Sequence, residues 1–242
     1  MQNLCPNGGL TGRERDGAFA EYISVPESNV YKLPEEVSFE EAPIITTLTT
    51  ALHSHRLIDI FPENSVAIMG CGFSGLLHLQ LAKLRGARPI IAITRSQWKL
   101  DLAEELGADV KVRSGDEDLL SRVKKLTGDR GVDLAIETAG SATTLRECVE
   151  VVRPGGRVLF FGISSEKAGD LSLFTFYSKE LSIIGSRAML PEDWEPSIQL
   201  VATGRVNVKP LITQRIPFEE LQKGFDMFED RNIQSIRIIV TQ

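Results

Sequence analysis

The sequence predicts an α/β protein built on a doubly wound, six-stranded parallel sheet. Three observations carry that prediction. From residue 62 onward, short apolar runs alternate with segments of helical period, the pattern of consecutive βαβ units. The strand-like runs are apolar throughout rather than alternating, as strands covered on both faces are. The first unit carries a glycine-rich turn between its strand and its helix, Gly70-Cys71-Gly72-Phe73-Ser74-Gly75.

Before residue 62 the pattern is irregular. Phe19-Ala20-Glu21-Tyr22-Ile23-Ser24-Val25 alternates and predicts a strand. Val30-Tyr31-Lys32-Leu33-Pro34 reads as a short extended piece that Pro34 closes. Ser38-Phe39-Glu40-Glu41 has the spacing of a capping box and opens a helix that reaches Leu57, continuous or broken around Pro43.

Beyond it, Val66-Ala67-Ile68-Met69 and Ile90-Ile91-Ala92-Ile93 are apolar runs too short for helices, and each predicts a buried strand. Between them 76–84 is an apolar helix, and after them 97–106 is an amphipathic helix that Gly107 stops. A weak strand at 110–112, a helix at 119–126, a strand at 132–136 and a helix at 142–152 follow, with Pro154-Gly155-Gly156 as punctuation. Strands at 157–161 and 181–184 complete the six. Helices at 193–202 and 218–228 and a strand at 236–240 finish the chain. The expected division is 1–61, 62–205 for the sheet domain, and a return segment at 206–242.

Composition narrows the function classes. The 242 residues are 42% hydrophobic and 25% charged, without repeats or low-complexity tracts, which excludes disorder, collagen and coiled coil. A net charge of −6 without a basic stretch argues against nucleic acid as a partner. No apolar run approaches the ~20 residues of a membrane span, and the opening Met1-Gln2-Asn3-Leu4-Cys5-Pro6 lacks the order of a signal peptide. Three cysteines far apart, Cys5, Cys71 and Cys148, fit a reducing compartment, with the cytoplasm expected.

The turn matches G-x-G-x-x-G, with a strand before it and a helix after it. Gly70 permits the tight turn, Gly72 lets backbone approach a diphosphate, and Gly75 lets the helix pack on the strand; Phe73 and Ser74 open that helix. The diphosphate of a dinucleotide would sit on the helix N-terminus; the other reading is a tight βα turn without ligand. About 20 residues on, an NAD site wants a carboxylate for the ribose hydroxyls. Here the sequence has Thr94-Arg95-Ser96. A guanidinium can pair bidentately with a 2′-phosphate, and the flanking hydroxyls can donate to it. NADP(H) is therefore expected over NAD(H), unless Arg95 is a solvated loop residue.

On these residues the chain resembles the medium-chain dehydrogenase/reductase superfamily, in its zinc-containing alcohol, sorbitol and threonine dehydrogenase branch. Gly17-Ala18-Phe19-Ala20-Glu21-Tyr22, Ala51-Leu52-His53, the glycine turn, Leu106-Gly107-Ala108-Asp109 and Gly131-Val132-Asp133 with Glu137 carry the likeness. Arg153-Pro154-Gly155-Gly156 and Lys179-Glu180-Leu181-Ser182-Ile183-Ile184-Gly185-Ser186 extend it, so that it covers essentially the whole chain. The resemblance implies a Rossmann domain joined to a remnant of a GroES-like catalytic domain, most of which family members carry earlier in the sequence. It implies hydride transfer between nicotinamide and an alcohol or carbonyl, assisted in complete relatives by zinc.

The resemblance further implies cofactor contacts at Thr50, at Thr138 and Ala139 after the fourth strand, at Gly162 and Ile163 after the fifth, and at Ser186 and Arg187 after the sixth. It places Arg237 near the cofactor phosphates, where it is otherwise a surface charge. Cys5 stands where the family has one of four structural-zinc cysteines, without the other three, and is expected to be a free thiol. The third catalytic-zinc ligand falls on Thr46, whose neutral hydroxyl is a poor ligand, and His53 and His55 read as structural or surface residues. No metal is therefore expected in this chain, and no catalytic side chain follows from the sequence. Asp133 and Glu137 read as structural hydrogen-bonding groups rather than an acid/base couple.

The expected function is an NADP(H)-dependent oxidoreductase, truncated and without its zinc ligands. The alternatives are a non-catalytic dinucleotide-binding module or a zinc-independent enzyme of the quinone-reductase type. The apolar run Leu181-Ser182-Ile183-Ile184 comes late in the sheet order and is expected at an edge, pairing with a second copy to make a homodimer.

Overall fold

The computed structural model describes residues 2–116, 118–169, 171–230 and 232–241. The chain forms two units, one of Met1–Thr49 with Arg187–Gln242 and the other of Thr50–Ser186. Helix α1 (Ala42–Arg56) passes from one to the other. Its start is the expected capping box: Ser38 N–H and Oγ–H donate to Glu41 Oε2 at 3.1 and 2.6 Å, and Glu41 N–H donates to Ser38 Oγ at 3.3 Å. Pro43 lies in the first turn, where no intrahelical N–H is missed, so the helix is continuous.

The unit Thr50–Ser186 holds the sheet. Its strands are β1 (Val66–Met69), β2 (Ile90–Thr94), β3 (Val110–Arg113), β4 (Val132–Glu137), β5 (Val152–Phe160) and β6 (Ser182–Gly185). They pair in the order β3-β2-β1-β4-β5-β6, and every pair is parallel. The helices between them are α2 (Phe73–Leu84), α3 (Gln97–Leu106), α4 (Leu119–Leu126), α5 (Ala142–Val151) and α6 (Leu173–Lys179). All four residues of β1 and the first four of β2 are buried, because both faces of an interior parallel strand are covered. On one side Ala67, Met69, Ile91, Ile93, Val123 and Val149 pack into a continuous core.

Local chemistry sets the boundaries. Gly107 adopts φ 113° and closes α3, with Ala108 N–H returning to the Ala103 carbonyl at 2.8 Å. Asp118 caps α4 by accepting from Ser121 N–H at 3.3 Å. Lys179 Nζ donates to the carbonyls of Val149, Glu150 and Val152 at 3.0, 2.9 and 3.0 Å, satisfying oxygens that the end of α5 leaves open. Pro154-Gly155-Gly156 does not stand outside the strand as expected. β5 begins at Val152, which pairs with Val132, and pairing resumes at Arg157 opposite Leu134 after a register shift. The three residues form a bulge inside the strand, with Gly155 at φ 68°.

The other unit contains α7 (Trp194–Ala202), β7 (Ile212–Pro217), α8 (Leu221–Glu229) and β8 (Arg237–Thr241), with β7 and β8 paired in parallel. The strand expected at 19–25 does not form, and 30–34 belongs to no strand either. Alternation makes a strand only where a neighbour completes the ladder, and no described residue pairs with either segment; Phe19 is 61% and Tyr22 90% exposed. Ring contacts engage these segments instead. Phe19 meets Phe225 edge-on at 6.1 Å, and Tyr31 stacks on Trp194 at 5.1 Å.

Candidate cofactor site

In an open α/β sheet, ligands bind beyond the carboxyl ends of the strands where the strand order reverses. Here that point lies between β1 and β4, and the glycine turn leaves β1 directly into it. Gly70 N–H donates to the Ile93 carbonyl at 2.9 Å, which fixes the turn to β2, and Gly70 sits at φ 98°, a conformation glycine adopts without strain. A Cβ on Gly75 would lie 1.8 Å from the Gly70 carbonyl oxygen, so helix and turn pack backbone to backbone there. A Cβ on Gly72 would meet nothing within 4 Å. Gly72 is the N-cap of α2 and offers no side-chain cap, so open space lies over the first turn of the helix. These features fit a diphosphate on the helix dipole. Cys71, inside the turn, is buried, and burial pushes its thiol up to about 12, which makes it inert.

The loop after β4 is tied to the turn. Thr138 Oγ1 donates to the carbonyls of Gly70 at 2.7 Å and Met69 at 3.1 Å. Glu137, fully buried, accepts on one carboxylate oxygen from Ala139 N–H at 2.9 Å, Gly140 N–H at 2.9 Å and Thr144 Oγ1–H at 2.7 Å. Its backbone carbonyl accepts from Phe161 N–H and Gly162 N–H at 3.0 and 3.1 Å. The Glu137 side chain therefore holds the loop of Ala139 and Gly140, and its backbone carbonyl holds the start of the loop with Gly162. The sequence predicts a structural hydrogen-bonding role for Glu137; the structure adds that both candidate loops are tied to it. Its signal in the sequence is a carboxylate at the end of a mostly apolar strand whose other charged residue, Asp133, lies near the start. Ile163 is fully exposed, and Ser186 Oγ is buried without a hydrogen-bond partner among the described residues.

Thr94 ends β2, and Arg95 follows it into solvent with no ion-pair partner among the described residues. Ser96 is the N-cap of α3, yet its hydroxyl makes no capping bond. Thr50 is half-buried in α1. Arg187 and Arg237 belong to the other unit: the Arg187 carbonyl accepts from Asn3 Nδ2 at 2.9 Å, and Arg237 opens β8 beside an apolar pocket of about 500 Å³ lined by Phe19, Phe218, Phe225 and Phe228. Burial lowers the pKa of Arg237.

Asp133 acts structurally. It accepts from Ser65 N–H and Oγ–H at 2.8 and 2.7 Å and pairs with Arg153 Nε at 2.7 Å. Burial pushes its carboxyl up, but the Arg153 and Ser65 hydrogen bonds outweigh it and hold the pKa below the usual value. His55 and His78 form a buried pair, Nε2 to Nδ1, at 3.0 Å, with Phe161 edge-on to His78 at 4.5 Å. Burial drives His78 down to about 3 and His55 well below its ordinary value, so both rings are neutral.

Zinc does not fit the described residues: no group of three His, Cys, Asp or Glu side chains that could hold a metal ion occurs among them. Thr46 is exposed on α1, and the cysteines Cys5, Cys71 and Cys148 are free. No described helix is long and apolar enough to cross a membrane.

A parallel doubly wound sheet with a glycine-rich turn at its reversal point defines a Rossmann-type domain. The sequence profile of the zinc-binding dehydrogenase family matches residues 75–203. The chain belongs to that family. It is 32% identical to a D-arabitol-phosphate dehydrogenase of Enterococcus avium over 95% of this chain and 66% of the relative. A crystal structure from Sinorhizobium meliloti 1021 bound to NADP superposes with a TM-score of 0.92 at 32% identity, covering 99% of this chain and 70% of that one. An alcohol dehydrogenase from Escherichia coli CFT073 complexed with NADH gives 0.92 at 26% identity, covering 99% and 70%. The chain spans about two thirds of the length of the curated relatives it matches.

Proposed function

We propose that the chain is the cofactor-binding part of an NADP(H)-dependent oxidoreductase of the zinc-type alcohol and polyol dehydrogenase class, acting on a small alcohol or carbonyl substrate. The observation that carries the cofactor choice is the end of β2. Arg95 is exposed and unpaired among the described residues, Ser96 keeps its hydroxyl out of the helix cap, and no carboxylate stands in the segment 94–96. A 2′-phosphate suits that set, whereas a free ribose diol finds no carboxylate in it to accept from both hydroxyls. The turn at 70–75 would hold the diphosphate, and the loops at 138–140 and 162–163 line the crevice beyond it. Bound nicotinamide supplies hydride acceptance or donation; the protein's part is to orient it. The dinucleotide bound to the S. meliloti relative supports the reading.

The described residues offer no three-donor metal group, which favours a second reading: a dinucleotide-binding module without chemistry of its own, or a zinc-independent reductase. We also propose a homodimer through β6, at the sheet edge next to β5. The preceding helix supports it by exposing Leu173, Phe174 and Tyr177. We place the protein in the cytoplasm, without nucleic-acid or membrane partners. The cofactor reading is tested by Arg95→Ala: NADPH should bind about 5- to 150-fold more weakly, the loss of a charge-assisted contact, while NADH affinity stays unchanged. Equal losses for both cofactors would overturn it.

A further inference from the structure

The strand beside β2 carries a second guanidinium to the same place. In the parallel pairing of β2 with β3, Thr94 and Arg113 are register partners. Both strands end there, and the Arg113 side chain reaches the backbone of Arg95, the residue that follows β2. Two bonds from β3 fix the 94–96 segment: Ser114 N–H donates to the Thr94 carbonyl at 3.1 Å, and Arg113 Nε–H donates to the Arg95 carbonyl at 3.2 Å. The second bond uses one of the five guanidinium N–H groups. The terminal Nη1 and Nη2 groups have no partner among the described residues. Among the described residues the carboxylate beside Arg113 is that of Asp116, 3.9 Å from Nε, and the two side chains are 52% and 60% exposed. An ion pair that long and that wet contributes little.

Resting on the NADP(H) reading above, we propose that Arg113 is a second phosphate-binding residue of the ribose subsite. Through Nε it positions the Arg95 peptide, and through its Nη groups it shares the 2′-phosphate with Arg95. A guanidinium anchored at one edge presents its other N–H groups in a fixed plane, the geometry in which arginine recognises phosphate. Two cations on one phosphate also explain how an exposed site can discriminate: each contact alone is weakened by water, and together they neutralise a dianion. Asp116 stands beside this site as a weak competing carboxylate for the Arg113 guanidinium.

The test is calorimetric titration of the full chain with adenosine 2′,5′-bisphosphate and with 5′-AMP, probes that differ by the 2′-phosphate alone. The wild-type chain should bind the bisphosphate at least about tenfold more tightly. Arg113→Ala should lose about 5- to 20-fold of bisphosphate affinity and leave 5′-AMP unchanged. Asp116→Asn removes the competitor and should tighten the bisphosphate about two- to threefold, a gain that misfolding cannot produce. If the wild-type chain discriminates and neither variant moves the ratio, Arg113 takes no part while the NADP(H) reading stands. If the wild-type chain binds both probes alike, that reading falls and this inference falls with it.

Discussion

Gly75 and Gly72 belong to one turn, yet a methyl group on each should do opposite things. On Gly75, Cβ would stand 1.8 Å from the Gly70 carbonyl oxygen and 2.9 Å from Thr138 Oγ1. The first neighbour is backbone, and Thr138 Oγ1 is itself bonded to that same oxygen at 2.7 Å. Neither can rotate away, so the turn must move off β4 and that hydrogen bond must stretch or break. Overpacking costs about 1–3 kcal/mol, and the strained hydrogen bond adds about 1 kcal/mol. Gly75→Ala should therefore lose about 2–4 kcal/mol, or about 5–15 °C in Tm for a chain of this size.

On Gly72, at φ −83° with nothing within 4 Å, the methyl group strains nothing. Alanine is a somewhat poorer N-cap than glycine, so Gly72→Ala should stay within about 1 kcal/mol of wild-type stability. It does, however, fill the space through which a diphosphate approaches the helix amides. NADPH affinity should fall at least about tenfold, equivalent to about 1.4 kcal/mol. Thermal melts followed by circular dichroism and calorimetric NADPH titration separate the two effects. A Gly75→Ala chain as stable as wild type refutes the packing argument. A Gly72→Ala chain that binds NADPH normally refutes the use of this cradle.

Other outcomes follow from the same structure. Ser186 N–H bonds back to the Phe160 carbonyl, so alternation turns the Ile183 N–H to the outer edge of β6. Ile183→Pro should then leave the sheet intact and give a monomer by light scattering, and a folded variant of dimer mass would show that the contact lies elsewhere. The buried His55–His78 pair takes up protons on unfolding, because folding depresses both pKa values. Their stabilisation is whole above about pH 6.5 and is lost as pH falls toward 3, by at most about 1.4 kcal/mol per pH unit for each ring. In His78→Phe, urea midpoints should depend less steeply on pH below 6.5, and an unchanged slope would contradict the assignment. Metal analysis after exposure to zinc should find well under one equivalent; stoichiometric, chelator-resistant zinc would overturn the expectation drawn from Thr46.

The sheet domain was largely legible because its signals are local. The runs at 66–69, 97–106 and 119–126 match β1, α3 and α4 end to end, where burial, a glycine stop and an aspartate cap act within a few residues. Elements that depend on distant partners were not. Phe19–Val25 has the right alternation and no neighbour to pair with among the described residues. β7 carries Thr213, Gln214 and Arg215 and becomes a strand only because β8 lies beside it. α6 exposes apolar residues that its sequence gives no reason to expose. At the site, the glycine turn and the Thr94-Arg95-Ser96 segment were visible as motifs. The approach of Arg113 was not, because strand register rather than sequence spacing brings it there; the Glu137 side chain bonds groups two to seven residues ahead, but no motif marks those partners.

We propose that this family member selects the phosphorylated cofactor through the end of β2. Parallel calorimetric titrations of the purified full chain with NADPH and NADH test it most directly. NADPH should bind at least about tenfold more tightly, the difference of one charge-assisted phosphate contact. Equal affinities, or tighter binding of NADH, would contradict the account.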